Sequence, residues 1–280
     1  MKKDLIKSYA KINLSLNVLR KDKNGYHKIQ SLISFLNLYD EIYIQQINKK
    51  KHSINFRGSF SKNLKKINTV SKLLSILDKK KFLTKKYKIQ IKKNIPQESG
   101  LGGGSMNAAF ILRYFLKKKI IQLSKNQIIN ICNQIGSDVL LGVDHKKSIL
   151  VNNSNIKKFN IKMGLFVLLI KPKTGCSTKE IYRRVKIFSK IRVKNSRNIF
   201  KIKSLKNMQN DLEIPAFKLY PVLRKLKIFL SNIDQVKFVR MTGSGSTIVA
   251  YFLNKKSAIN GLKLIKKNFK NYWSIISKTI

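Results

Sequence analysis

The sequence predicts an α+β protein with two domains. Strand-like and helix-like segments follow one another along its 280 residues, and we expect the helices to pack on one face of the sheets that the strands form. One indication is a strand, a glycine-rich loop and an apolar helix in succession over residues 87–116. A second is the alternation of patterns in the later half. Its segments are the strands 165–171, 235–241 and 247–253 and the helices 178–190, 215–231 and 256–268. We place the boundary in the polar, asparagine-rich stretch 151–162, which gives domains of residues 1–158 and 159–280.

Two strands are predicted at the start of the chain. The first covers residues 7–19 and is followed by a turn around residues 22–25, where Asn-Gly favours a tight reversal. The second covers residues 32–47, and we expect it to be broken at Tyr39-Asp40.

Helices are predicted at 68–77 and 124–135. In the first, four apolar residues share one face at helical spacing, namely Val70, Leu73, Leu74 and Leu77. In the second, Ser124 stands where an N-cap is expected.

The glycine-rich loop is the most informative segment of the chain. It follows the alternating strand 87–93 and leads into an apolar helix, an arrangement in which backbone N–H groups and the helix dipole bind an anion. The alternative is a flexible connection between a strand and a helix. The residues predicted to bind phosphate are Pro96, Gln97, Glu98, Ser99, Gly100, Leu101, Gly102, Gly103, Gly104, Ser105 and Met106.

The common phosphate-loop patterns do not fit this segment. A P-loop needs a lysine after its glycines, and none follows here. The dinucleotide pattern Gly-x-Gly-x-x-Gly fails because Ser105 occupies its last position when counted from Gly100. The His-Arg-Asp and Asp-Phe-Gly sequences of protein kinases are absent as well.

Two polar pairs near the start of the chain are candidate site residues. Lys11 and Asn13 lie on the same face of an otherwise apolar strand, so the lysine is either solvated or placed to neutralise a phosphoryl group. Tyr26 and His27 follow the predicted turn and either belong to a surface hairpin or bind a base by stacking and hydrogen bonds.

Two further segments come later in the chain. Asp138 lies between a small-residue turn and an apolar run, where it is either a helix cap or a general base for a hydroxyl. The small-residue loop 242–247 joins two predicted strands and is either a plain hairpin or a second group of backbone N–H donors beside the first.

Composition limits the function classes. The formal net charge is +48, but lysines outnumber arginines and are scattered, so we attribute the charge to compositional drift and expect no specific nucleic-acid partner. The longest apolar stretch, 163–170, is too short for a bilayer span, and Cys132 and Cys176 match no metal-site spacing. We therefore expect a cytoplasmic protein with no membrane partner.

Together these segments resemble the GHMP kinases, the group of galactokinase, homoserine kinase and mevalonate kinase. The pattern from Pro96 to Ser105 is similar to the phosphate loop of that family. Within the family, the chain resembles the branch that phosphorylates 4-diphosphocytidyl-2-C-methyl-D-erythritol in the non-mevalonate isoprenoid pathway. The order of motifs that matches this branch is Lys11/Asn13, Gly25-Tyr26-His27, the glycine-rich loop, Gly136-Ser137-Asp138, Asn210-Asp211-Leu212-Glu213 and Thr242-Gly243-Ser244-Gly245.

The resemblance implies a fold and a reaction. The fold has a ribosomal-S5-domain-2-like N-terminal domain and a ferredoxin-like C-terminal domain, with the site in the cleft between them. The reaction is ATP-dependent phosphorylation of the 2-hydroxyl of the substrate, with Mg²⁺. Asp138 matches the family's catalytic base, and Lys11 matches the residue that keeps this base ionised and balances phosphoryl charge.

The resemblance also implies how ligands are bound. The loop from Pro96 to Met106 would bind the ATP phosphates, while Mg²⁺ would be held largely by phosphates and water, without a dedicated metal site. Tyr26 and His27 match the residues that hold the cytosine ring, and Asn13 and Thr178 would orient the substrate. We expect a monomer or a weak homodimer whose partner is this small molecule.

The sequence departs from the family pattern at several positions. Met106 replaces the second serine of the usual Ser-Ser-Asn, and Gln97-Glu98-Ser99 replaces smaller residues. Leu140-Leu141 stands for Pro-Phe after the catalytic aspartate, and a glycine-rich stretch expected around 144–155 is absent. The hydroxyl lost at position 106 removes an expected phosphate or metal contact, so we expect weakened rather than abolished activity.

Three alternatives remain at this point. The first is another small-molecule GHMP kinase, such as homoserine kinase, against which the Tyr26-His27 pair argues. The second is an RNA-binding protein on a related sandwich fold, which needs a clustered basic face and stacking aromatic residues. The third is a decayed enzyme kept as a binding module, which Met106 supports.

Overall fold

The computed structural model describes residues 3–22, 25, 27–152, 155–190 and 196–280. By their contacts, they group into two compact units that are interleaved along the chain. The first unit contains the residues up to Ala10, Leu38–Gln97 and Gly102–Lys146, and the second contains Lys11–Asn37, Glu98–Leu101 and the residues from Lys147 onward. The predicted boundary after residue 158 stays a prediction.

Strands and helices are mixed throughout, which confirms the α+β prediction. The strands are β1 (Asp4–Lys21), β2 (His27–Ile47), β3 (Ser53–Arg57), β4 (Lys86–Lys92), β5 (Lys147–Asn152), β6 (Asn155–Phe159), β7 (Phe166–Lys171), β8 (Phe238–Met241), β9 (Ile248–Phe252) and β10 (Trp273–Lys278). The helices are α1 (Thr69–Lys79), α2 (Gly103–Lys117), α3 (Lys125–Ile135), α4 (Val139–Val143), α5 (Thr178–Arg183), α6 (Ile202–Lys206), α7 (Glu213–Leu219), α8 (Pro221–Ser231) and α9 (Lys255–Asn268), with a 3-10 helix at Arg197–Phe200. Within the described residues, no helix is both long enough and apolar enough to cross a membrane.

The first unit packs helices against a sheet. The later part of β2 pairs antiparallel with β4, and β3 pairs parallel with β4. Helices α1 to α4 pack on one another, and apolar side chains such as Leu73, Leu112 and Phe115 fill the core. Asn68 and Ser71 close the start of α1 with reciprocal capping hydrogen bonds, while Ser124 caps α3 as predicted.

Strand β2 is continuous where a break was expected. Asp40 is fully buried, and its carboxylate accepts hydrogen bonds from the backbone N–H groups of Asn94 (2.7 Å) and Ile95 (2.9 Å) and from the Lys93 ammonium. The predicted break was wrong. A buried carboxylate without partners would be costly, but these three partners satisfy Asp40, so the strand continues through this position without turning the side chain out to solvent.

The second unit has a four-stranded antiparallel sheet in the order β10-β7-β9-β8. Its core combines this sheet with α8 and α9 and with Leu16 and Val18 of β1. The first part of β2 pairs with β5, and β5 pairs with β6. Strand β1 pairs with β2.

Several boundaries differ from the predictions. The helix predicted at 215–231 is two helices, because Pro221 lacks the N–H that an uninterrupted helix needs and its ring disfavours a helical residue before it. The helix predicted at 178–190 ends at Arg183. The strands β3, β5, β6 and β10 were not predicted, since short or lysine-rich and asparagine-rich segments give a weak alternating pattern.

Candidate active site

The glycine-rich segment is shared between the two units: Glu98–Leu101 belong to the second, and the residues before and after them belong to the first. In the second unit, the Thr242 hydroxyl donates to the Gly100 carbonyl (3.2 Å), and the Thr247 N–H donates to the Ser99 carbonyl (3.3 Å). Gly100 has φ +72°, and a Cβ there would collide with the Thr242 carbonyl oxygen. Only glycine fits this position, because it needs both a left-handed backbone and close contact with the loop 242–247.

The remainder of the loop leads into α2 in the first unit. Gly102 is the N-cap residue with φ +71°, and within the described residues no side chain caps the 15-residue helix. A Cβ on Gly103 would lie 3.0 Å from a methyl carbon of Ile95 and 3.3 Å from the Lys93 ammonium. Uncapped N–H groups at the start of a helix are donors suited to an anion, and the binding of phosphate by this loop stays a prediction.

Gln97 anchors the start of the loop in the same unit. Its side-chain amide donates to the carbonyl oxygens of Phe60 (3.0 Å) and Lys62 (2.8 Å). The replacement of a smaller residue by Gln97 therefore adds two hydrogen bonds that fix the loop to a neighbouring segment.

Lys11 and Asn13 form a buried polar pair in the second unit. Each is about 4% exposed, and the Lys11 ammonium donates to the Asn13 side-chain oxygen at 2.7 Å. Asn13 in turn donates through its backbone N–H to the Thr242 hydroxyl (3.0 Å) and through its amide to the Ser31 hydroxyl (2.8 Å). The prediction that both face the same side of the strand is confirmed, and the lysine is not a solvated surface residue.

Asp138 lies at the N-cap position of α4 in the first unit. Its side chain is partly buried and, within the described part of the chain, makes no capping hydrogen bond to that helix. Helix capping therefore does not explain this aspartate.

Helix α4 packs closely on α2 through a glycine. A Cβ on Gly142 would lie 2.7 Å from the Ala109 Cβ and 2.9 Å from the Met106 sulfur. Met106 is fully buried. Its side chain thus holds the start of α2 against the helix that begins after Asp138.

His27 lies in an aromatic group of the second unit. Its ring centroid is 5.1 Å from that of Tyr182 and 6.4 Å from that of Phe188. Burial, and then the nearby Lys21, lower the pKa of His27 below its ordinary value, so the ring is neutral at pH 7. Tyr26, predicted beside it, lies outside the described residues.

Thr178 meets the loop 242–247 at its tip. Thr178 is the first residue of α5, and its hydroxyl oxygen is 2.7 Å from that of Ser244. The loop 242–247 is therefore contacted within the second unit by Thr178, by Asn13 and by the segment 98–101. Lys11 lies in the same unit and is bonded to Asn13. Gly102 to Met106 and Asp138 belong to the first unit.

Residues that the sequence interpretation did not assign support this loop. The Asn210 amide donates to the carbonyl oxygens of Met241 (2.8 Å) and Gly243 (2.7 Å), and Glu213 accepts from the Met241 N–H (2.7 Å). The Asn-Asp-Leu-Glu motif was visible in the sequence, but its role as a support for the loop was not. Tyr182, one helical turn after Thr178, carried no signal in the sequence.

Comparisons with known proteins agree with these observations. The model of the GHMP kinases N terminal domain matches residues 68–146, and that of the GHMP kinases C terminal region matches residues 187–271. A 4-diphosphocytidyl-2-C-methyl-D-erythritol kinase from Pelagibacter ubique is 52% identical over 98% of each chain. This chain belongs to the 4-diphosphocytidyl-2-C-methyl-D-erythritol kinase family of the GHMP kinases. As a GHMP kinase, it is an ATP-dependent phosphotransferase.

Other relatives of this GHMP kinase are more distant. A kinase of the same name from Caldicellulosiruptor saccharolyticus is 32% identical over 94% of this chain and 92% of its own. A crystal structure of 4-(cytidine 5'-diphospho)-2C-methyl-D-erythritol kinase superimposes with a TM-score of 0.78 at 21% identity, covering 98% and 99% of the two chains. The crystal structure of homoserine kinase from Cytophaga hutchinsonii superimposes with a TM-score of 0.68 at 17% identity, covering 100% of this chain and 95% of its own. These structural likenesses confirm the two-domain GHMP kinase fold.

Proposed function

We propose that this GHMP kinase transfers the terminal phosphoryl group of ATP to the 2-hydroxyl of 4-diphosphocytidyl-2-C-methyl-D-erythritol. The proposal rests on the nearly full-length, 52% identical relative that is named for this substrate. The retention of Lys11, Asn13, His27 and Asp138 supports it. We also propose that the enzyme acts in the cytoplasm as a monomer or weak homodimer, without a membrane or a specific nucleic-acid partner.

Asp138 is the proposed general base. Its carboxylate is partly buried at the start of α4, and a carboxylate held in a fixed position can take the proton of an attacking hydroxyl. Lys11 supplies a positive charge for the phosphoryl group during transfer. Its buried position beside Asn13 fixes the ammonium in place, so little reorganisation is needed when charge develops.

The segment from Pro96 to Met106 is proposed to hold ATP, which supplies the phosphoryl group. Support comes from the start of α2, where within the described residues no side chain caps the helix, so that its first backbone N–H groups are donors for an anion. Among the residues that the structure describes, no three His, Cys, Asp or Glu side chains gather as a metal site. We propose that Mg²⁺ is held mainly by phosphate oxygens and water, as that ion commonly is.

His27 is proposed to bind the cytosine ring, together with Tyr26. The neighbouring Tyr182 ring supports this assignment, because a base is held well by aromatic faces and by a neutral imidazole that both donates and accepts. Thr178 and Asn13 are proposed to orient the remainder of the substrate.

A coupled ADP-release assay with Mg-ATP tests the reaction and the substrate together. The candidate substrate is compared with homoserine and mevalonate under the same conditions. Turnover with the cytidyl substrate alone is the expected result. Turnover with homoserine alone would replace the substrate assignment, and no turnover by a folded protein would favour a decayed enzyme or an RNA-binding protein, for which salt-dependent RNA binding is the next measurement.

A further inference from the structure

A cavity lies in the first unit, away from the glycine-rich loop. Its volume is about 620 Å³, within the range of small-molecule sites. It is lined by the first residues of β1, the later half of α2 and His145. Phe110, the first residue of α2 to line it, comes seven residues after Gly103, which places it roughly 10 Å along the helix from the loop.

Three rings form one wall of this cavity. The Tyr9 and His145 rings are stacked, with centroids 5.7 Å apart and planes at 17°. Phe110 lies 5.2 Å from the His145 centroid and 5.9 Å from that of Tyr9. Phe110 is buried, while Tyr9 and His145 are half-buried. The wall therefore offers partly open aromatic surface, against which a flat ring packs well.

Cations line the cavity beside this wall. Arg113 and Lys117 are four residues apart on α2, and Lys7 is on β1. The Arg113 guanidinium is held in place, because it donates to the Nδ1 atom of His145 and lies 5.9 Å from the Phe110 centroid. A guanidinium oriented in this way can bind a phosphate or a carboxylate with two parallel hydrogen bonds.

The remaining polar groups leave the cavity positive. Burial, and then Arg113, lower the pKa of His145 to about 4, opposed by the adjacent Asp144. The imidazole is therefore neutral at pH 7, with Nδ1 as the acceptor and its proton on Nε2. Asp4 is the one carboxylate among the lining residues. It accepts a hydrogen bond from the Tyr114 hydroxyl (2.6 Å), and its charge is balanced by the Lys118 ammonium at 3.4 Å.

We propose that this cavity is a second ligand site that binds a small aromatic phosphate of the nucleoside-monophosphate class. The base packs against the wall of Tyr9, Phe110 and His145, and the phosphate is bound by Arg113 and Lys117. An aromatic wall next to an oriented guanidinium matches both halves of such a molecule. Uniform surface charge would supply the attraction for phosphate but not the binding surface for the ring.

Calorimetric titration with AMP tests this site in the full-length protein. The protein is first saturated with a non-hydrolysable ATP analogue, so that the glycine-rich loop is occupied. We expect one further molecule of AMP to bind per chain. Adenosine and inorganic phosphate should each bind with an affinity at least about tenfold lower, because each lacks one half of the contacts. Two results overturn the proposal. One is the absence of binding at AMP concentrations up to about 5 mM, since a weaker affinity does not define a site. The other is that inorganic phosphate alone binds as tightly as AMP.

Paired variants separate this site from general attraction to a basic protein. Arg113→Gln and Lys117→Gln are each expected to weaken AMP binding about tenfold or more. Lys119→Gln, an exposed position that does not line the cavity, is expected to leave it unchanged. Lys117 is itself exposed, so its variant tests the site even if Arg113→Gln does not fold. Equal losses at positions 117 and 119, or an equal loss of binding of the ATP analogue, contradict a separate site.

Discussion

Single residues of the candidate site are fixed by buried partners rather than by solvent. Lys11 donates to Asn13, and Asn13 is bonded to Thr242 and Ser31. Each bond restricts the rotamers of the next side chain, so the ammonium has a defined position before a ligand binds. Such preorganisation is what stabilisation of a transferring phosphoryl group requires.

Asp138→Asn tests the proposed base. We expect kcat to fall at least about a hundredfold, because an amide cannot take the hydroxyl proton. The thermal unfolding midpoint of the variant is measured alongside, to show that the protein compared in the assay is folded. The measurement is steady-state kinetics with both substrates, and an unchanged kcat would remove Asp138 from the mechanism.

His27 gives the site a predicted pH response. Burial lowers its pKa, so the ring stays neutral at every pH above its ordinary value of about 6.5. We expect the KM for the cytidyl substrate to be constant from about pH 7 to 8.5 and to rise only in acid, below about pH 6.5, where the ring gains a proton and loses its acceptor.

The KM for ATP is the control for that pH profile, because His27 is not assigned to the phosphate loop. In His27→Gln, the cytidyl KM should be raised and should no longer change with pH in this way. A wild-type KM that rises equally for both substrates in acid would point to another titrating group.

At the scale of secondary structure, the contact between α2 and α4 depends on Met106. Gly142 leaves the room that this side chain fills, and the side chain is fully buried. The resemblance to the GHMP kinases raised the question whether Met106 removes a phosphate contact. In the structure, the residue is part of the packing that supports Asp138 and the start of α2.

Met106→Ser is expected to lower the free energy of unfolding by about 2–4 kcal/mol, because it leaves a cavity and buries a hydroxyl. Urea unfolding measures the change. Met163→Ser is the matched control at a half-buried position, where less than about 1 kcal/mol is expected. Equal losses in the two variants would contradict the packing role of Met106.

Local signals in the sequence account for part of these elements. Asn68 and Ser124 cap helices where polar residues precede apolar faces, and Gly100 and Gly102 stand where the backbone is left-handed. The continuity of β2 at Asp40 depends on Lys93, Asn94 and Ile95, more than fifty residues later. A contact over that distance leaves no trace in a local pattern, and neither does the meeting of His27 with Tyr182.

At the scale of the whole molecule, the net charge of +48 is the dominant property. Like charges on a folded chain repel one another more than on an expanded one, and salt screens that repulsion. The screening length falls from about 30 Å at 0.01 M salt to about 8 Å at 0.15 M.

We therefore expect the unfolding midpoint to rise by roughly 4 °C or more between these two salt concentrations, which corresponds to about 1–2 kcal/mol for a chain of this size. Differential scanning fluorimetry in sodium chloride measures the shift. Trehalose at matched osmolarity is the control, since an uncharged solute screens nothing. A midpoint that is flat or falls with salt would mean that repulsion is not a major cost to folding.

The interleaving of the two units has a consequence for how the gene can be divided. Leu16 and Val18, near the start of the chain, belong to the same core as Leu168 and Leu226. A polypeptide cut after residue 158 would keep the first pair and lose the second, so each half would present uncovered apolar surface. We expect the separately expressed halves to be insoluble and the co-expressed halves to reassemble, which makes the middle of the chain a poor point for recombination between relatives.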